Sequence, residues 1–430
     1  MTRRSIYPSL ARTSLLVTIL LLSTAYASSS TVTVKALAQY PAGFDDPAGT
    51  ASAVAETAAL PSLSALGGSS ALGARGTIVG SVGNQGPATT TTATTGLWAA
   101  DWGGAAAGRS AAGWQAAARN DQILIGSRGV YRKWIPQLHT WNPSLSVLMY
   151  DLGPYLQIGS ADYKQILAQH PDWFARDSSG RLINLPMFPR NYLMDPGNSA
   201  YRAWHAQQLA AAVAADGFDG AMVDSVGDGP LGNYASGVPI DPATHQPYAM
   251  TTWLQSEVLM LNGDKAAMPG KYLAFNGLVS GVDYFRDSYI LATSNADAGI
   301  AELFLRQPTS PVTSFPAASE VQLDVEMIGN LWFRHKAFLG WTKMWSGGTA
   351  AQIAKWEQFT LGVYLLARNS ASYLDFMPSH SADNTAVPYP NLQMQLGAPF
   401  GTPVMQGSTY SRQFQFGTVA VDLVTDTVTL

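Results

Sequence analysis

The stretch GFDGAMVDSVGDG, residues 217–229, decides how the rest of the chain is read. Ala221, Met222 and Val223 behind Gly220 form a short apolar run, the signature of a strand buried on both faces. Asp224 stands at its exit, and the Gly-rich segment that follows forms no regular element. An acid at the end of a buried strand, opening into a loop, is how a parallel α/β fold builds a site.

The same texture recurs outward in both directions. QILIGS (122–127), SVLMYD (146–151), YLMD (192–195), GAMVD (220–224), KYLAFN (271–276), GIAELFL (299–305), AFLGWTK (337–343) and ASYLDF (371–376) are strand-like. All but the last lead into amphipathic stretches such as SAYRAWHAQQLAAAVAAD, which stops at Gly217. Strand–helix alternation repeated eight times predicts an α/β fold, a (β/α)8 TIM barrel spanning residues 97–378. The competitor, a doubly wound open sheet, normally carries a Gly-rich phosphate turn after its first strand. SRGVYRKW offers one glycine there. Residues 379–430 read as a C-terminal β extension. In it Phe414 and Phe416, then Val419, Val421 and Leu423, alternate with mostly polar neighbours around Gly417, a hairpin pattern.

The N-terminus reads differently. Arg3, Arg4 and Arg12 precede the apolar LLVTILLL (15–22), and Ala25-Tyr26-Ala27 follows. That pattern predicts a signal peptide over residues 1–27, cut after Ala27, and a secreted, extracytoplasmic protein with no membrane span left after cleavage. An uncleaved anchor is the alternative. Residues 28–96, dominated by Ala, Ser, Thr and Gly, predict a disordered leader, because such a composition cannot offset the entropy of ordering it.

Composition removes several chemistries. The chain has 430 residues and no cysteine, so disulfides and thiolate catalysis are out. Its net charge of −4 includes no basic block, which argues against a nucleic-acid partner. The histidines, His139, His170, His205, His245, His335 and His380, are scattered without metal-ligand spacing, so neither a metal nor another cofactor is expected. No serine elbow, P-loop or dinucleotide fingerprint is present. The 12 Trp and 18 Tyr suit sugar rings, although most belong in the core.

In a TIM barrel the chemistry lies at the C-terminal strand ends. Those positions hold Ser127, Asp151, Asp195, Asp224, Asn276, Glu302 and Lys343, with Asp375 near the last. Glycosidic cleavage needs two carboxyl groups flanking one bond. Asp224 after strand four and Glu302 in strand six can face each other across the mouth, and they are the catalytic candidates. The structural alternative for Glu302 is a buried ion pair with Arg306 or Lys343. For Asp224 it is capping its own glycine loop, and for Asp195 a turn in MDPG. Asp228 is a second candidate acid on the loop. Tyr150, Asp151, Asp195, Asp228, Asn276, Trp341 and Lys343 are candidates for holding sugar hydroxyls or stacking on a ring.

The succession NPSLSVLMYD, HPDWFARDSSGRLI, YLMDPGNSAYRAW, GFDGAMVDSVGDG and AELFL resembles the hypothetical glycosyl hydrolase family 15 group. More distantly it resembles the endo-α-1,4-polygalactosaminidase barrels. The resemblance implies a (β/α)8 glycosidase acting on a poly- or oligosaccharide. It also implies a nucleophile ending strand four and an acid/base ending strand six, the positions of Asp224 and Glu302. The expectation is an exported glycoside hydrolase, retaining in mechanism. A non-catalytic polysaccharide-binding barrel and a transglycosylase using the same site are the alternatives; the sugar, the linkage and the oligomeric state are left open.

Overall fold

The computed structural model describes residues 95–101, 105–232, 234–379, 392 and 394–430. The signal-peptide expectation, and the leader up to residue 94, lie outside the described residues.

Eight parallel strands form the core: β1 (Trp98–Asp101), β2 (Ile123–Gly126), β3 (Ser146–Asp151), β4 (Gly220–Val223), β5 (Tyr272–Asn276), β6 (Ala298–Ala301), β7 (Ala337–Lys343) and β8 (Ser372–Met377). They pair in sequence order, each parallel to the next. A parallel bridge from Leu97 to Leu374 brings the last strand back to the first, and Leu374 N–H donates to Gly96 O at 2.9 Å. The fold is a (β/α)8 barrel.

Side chains alternate in and out along each strand. The inward set includes Trp98, Ile125, Leu148, Met222, Ala274, Ile300 and Leu339, which fill the barrel as a core of their own. The outward set packs against the helices in a larger core. Close strand approach needs glycine at Gly220, where a Cβ would lie 1.8 Å from Tyr272 O.

The helical layer comprises α1 (Ala111–Asn120), α2 (Arg128–Tyr131), α3 (Ile135–Trp141), α4 (Tyr163–Gln169), α5 (Ser199–Asp216), α6 (Met250–Ala267), α7 (Gly281–Arg286), α8 (Ala318–Phe333) and α9 (Ala350–Ala367). Local signals set their ends. Asn198 caps α5 by accepting from Ala200 and Tyr201 N–H, and Gly217 closes it at φ 76°. Thr349 and Gln352 form a reciprocal capping box on α9.

Two differences from the sequence reading compensate each other. YLMD is not a barrel strand: Asn191–Leu193 pairs antiparallel with Tyr155–Gln157 in a separate two-stranded sheet. The missing strand is β1, WAAD, whose two alanines make a weak apolar run. The count of eight survives, and Asp224 and Glu302 still follow the fourth and sixth strands.

The C-terminal extension is a four-stranded antiparallel meander, β9 (Pro399–Gln406), β10 (Thr409–Phe414), β11 (Gly417–Asp422) and β12 (Thr427–Thr429). Val419 and Val421 are fully buried, and the valines of β11 and β12 close over Gly362 of α9. Arg412 donates to Leu366 O and Arg368 O, meeting the free carbonyls at the α9 C-terminus. Phe416 departs from the expected alternation. It sits in the turn between β10 and β11 and is 69% exposed.

Candidate active site

The inward register of the strands decides which side chains meet at the mouth. Two residues beyond Met222 comes Asp224, beyond Ala274 comes Asn276, and beyond Ile300 comes Glu302. Tyr150 follows Leu148, and Trp341 and Lys343 follow Leu339, by the same step of two. Asp224 and Glu302 are each the first residue past their strands, β4 and β6.

Asn276 Nδ2 donates to both carboxylates, at 2.8 Å to Asp224 Oδ1 and 2.8 Å to Glu302 Oε2. Tyr150 OH donates to Asp224 Oδ2 at 2.8 Å. Lys343 Nζ donates to Glu302 Oε1. Each of the four carboxylate oxygens therefore has a donor, supplied by three alternate strands, β3, β5 and β7. The site is nearly dry, with Asp224 0%, Glu302 4%, Asn276 5% and Lys343 0% exposed. Burial first, and the charge of Glu302 second, push the Asp224 carboxyl up to about 8, against the pull of Tyr150 and Asn276. Near neutral pH Asp224 thus keeps its proton beside the charge of Glu302, a condition suited to acid/base work.

A small cleft opens beside Glu302 and Asn276, lined also by Ser225, Gly227, Tyr234 and Leu303. The backbone around it is strained. Ser225 (φ 56°), Val279 (φ 63°) and Leu305 (φ 66°) adopt the left-handed region just beyond β4, β5 and β6. Two buried acids hold these segments. Glu257 of α6 accepts from Gly227 N–H at 2.7 Å. Asp324 of α8 accepts from Gly281 N–H at 2.6 Å and Leu305 N–H at 3.2 Å. Burial pushes Asp324 up to about 7. Sequence reading missed both residues, although each is an acid on the buried stripe of an amphipathic helix.

The other candidates divide. Tyr150, Asn276, Trp341 and Lys343 come together with the pair. Trp341 is only 3% exposed, packed edge-on against Trp98 at 5.7 Å, so its ring is not an open sugar platform. Lys343 engages Glu302, the ion pair anticipated as the structural alternative, and its Nζ lies 4.2 Å from the Trp341 ring and 4.6 Å from the Trp345 ring. Asp151 has the opposite strand parity and faces the helices. Its Oδ1 is 3.1 Å from His205 Nε2, and His205 Nδ1 is 2.9 Å from Asp264 Oδ1. Burial works against charge on His205, but Asp264 and Asp151 outweigh it and hold the imidazole well above its ordinary value. Asp195 is a turn residue, 3% exposed, accepting from Tyr248 OH and Gly197 N–H, both at 2.8 Å. Asp228 pairs with Arg286 at 3.2 Å, alongside Asp283 and Asp287. Among the described residues no group of three or more His, Asp or Glu is placed to hold a metal ion, and no helix is long and apolar enough to cross a membrane.

Residues 139–418 match the family model of hypothetical glycosyl hydrolase family 15. The chain belongs to that family. No curated protein matches it. Among solved structures, a Paenibacillus cycloisomaltooligosaccharide glucanotransferase with cycloisomaltoheptaose is 13% identical over 56% of this chain and 37% of its own, with a TM-score of 0.40. The chain thus spans little more than a third of that protein. Aspergillus fumigatus Ega3 with galactosamine is 12% identical over 70% of this chain and 98% of its own, TM-score 0.42. The noncanonic maltogenic α-amylase AmyB from Thermotoga neapolitana is 10% identical over 76% and 86%, TM-score 0.46. Fold and family together support a carbohydrate-cleaving function for this member of hypothetical glycosyl hydrolase family 15.

Proposed function

We propose that this family member is an exported glycosidase that cleaves O-glycosidic bonds of a poly- or oligosaccharide with retention, Asp224 acting as nucleophile and Glu302 as general acid/base. The observation that carries this is the shared donor. Because Asp224 Oδ1 and Glu302 Oε2 each lie 2.8 Å from Asn276 Nδ2, they are at most twice that distance apart. Retaining pairs stand about 5–5.5 Å apart, and inverting pairs about 6.5–9.5 Å to admit a water.

In the first half-reaction the proton held at Asp224 passes to Glu302 and on to the leaving oxygen, while the freed Asp224 carboxylate attacks the anomeric carbon. In the second, Glu302 takes a proton from water, whose oxygen displaces Asp224. Tyr150 and Asn276 fix the nucleophile. The Arg-flanked apolar N-terminus supports export. The test is proton NMR of the first product released from a panel of α- and β-linked glycans. Retained anomeric configuration supports the reading; inversion overturns it.

The Lys343–Glu302 ion pair favours a second reading, a non-catalytic polysaccharide-binding barrel in which the buried charges are structural. It is separated from the first by whether glycan binding yields new reducing ends. Against it stands the raised Asp224 carboxyl, whose burial beside a second carboxylate works against stability.

A further inference from the structure

Lys343 ends β7 with no exposure, and its inward register carries the ammonium into the mouth. A buried cation is costly unless its charge is met. Here it is met on one side by Glu302 and on the others by the indoles of Trp341 and Trp345. Both rings are fixed in turn. Trp341 abuts Trp98, and Trp345 Nε1 points to Met377 Sδ at 3.3 Å. The clamp aims the ammonium at Glu302 and leaves it no exposed face for a sugar hydroxyl.

The polar groups around Glu302 include Asn276 from β5, with Asp224 from β4 beyond that amide and Tyr150 from β3 upon it. Arg306 turns its guanidinium elsewhere, to Ser310 O, Ser346 Oγ and Met344 Sδ.

We propose that Lys343 is a positioning residue that sets the charge of Glu302, stabilising the carboxylate left when Glu302 gives up its proton, and is not a ligand for substrate hydroxyls. The proposal rests on the reading of Asp224 and Glu302 as the reacting pair. As the bond to the leaving oxygen breaks, the Glu302 proton passes to that oxygen, and the resulting anion meets an ammonium already in place. In the second half-reaction a water proton returns to Glu302 against the same ammonium. Lys343 therefore strengthens Glu302 as an acid and weakens it as a base.

The experiment is a carboxyl titration that needs no substrate. Protein labelled with [δ-13C]glutamate is followed by NMR from acid to alkaline pH, with the Glu302 signal identified by its loss in E302Q. Lys343→Met moves the Glu302 midpoint upward by about one pH unit or more, and Lys343→Arg keeps it near wild type. A folded K343M with an unchanged midpoint overturns the proposal. If K343M does not fold, Trp345→Leu loosens the clamp with Lys343 retained, and the midpoint rises by a smaller step; no movement there overturns it equally. Full glycan turnover by E302Q would bring down the catalytic reading alone, because the titration stands independently of turnover.

Discussion

One amide nitrogen, Asn276 Nδ2, lies 2.8 Å from Asp224 Oδ1 and 2.8 Å from Glu302 Oε2. Three successive strands, β4, β5 and β6, each contribute one of these residues, so the barrel wall itself sets the carboxyl separation. Asn276→Ala removes that spacer and leaves both acids short of a donor. Turnover falls by about 10²-fold with the fold retained, as expected for a lost preorganised donor. Steady-state kinetics beside circular dichroism checks this.

Stability should fall as pH rises across the neutral range. Asp224 and Asp324 are pushed up to about 8 and about 7 in the folded chain, whereas unfolded carboxyls titrate near 4. Between those limits the folded state holds more protons than the unfolded state, so raising the pH favours unfolding. Asp224→Asn removes the ionisable group, and the Tyr150 hydroxyl can turn to accept from the new amide. The variant melts higher than wild type at pH 8, and the gap narrows towards pH 5; thermal denaturation across that range checks it.

The barrel itself was legible in the sequence because continuous apolar runs report strands covered on both faces. The site was half legible. Counting strand ends found Asp224, Asn276, Glu302 and Lys343, but it also returned Asp151 and Asp195. Parity separates them. Asp151 lies one residue past the inward Tyr150 and so faces the helices, while Asp195 follows a strand outside the barrel. The distinction needs each strand's register, which a short run does not fix. β1 was missed because WAAD has little apolar contrast, and Glu257 and Asp324 because each holds backbone N–H groups on loops distant in sequence.

The position of Asp151 gives its own prediction. Asp151→Asn leaves turnover within about tenfold of wild type, since the residue faces His205 and not the cleft. Breaking the buried network at its centre, with His205→Ala, leaves Asp264 without its partner and costs about 3–5 kcal/mol of stability. Urea titrations and kinetics on both variants check the pair.

Strain at Ser225 is also measurable. A left-handed non-glycine residue costs about 1–3 kcal/mol, part of which glycine recovers after its larger unfolded-state entropy. Ser225→Gly therefore stabilises the chain by about 0.5–1 kcal/mol, with turnover reduced as the loop after β4 loosens.

The most direct test of the account compares wild type, Asp224→Asn and Glu302→Gln for new reducing ends released from a polysaccharide panel. The account predicts release by wild type and a loss of about 10³-fold or more in each variant, both still folded. Turnover by Asp224→Asn at the wild-type rate, or glycan binding by wild type without any new reducing ends, would contradict it.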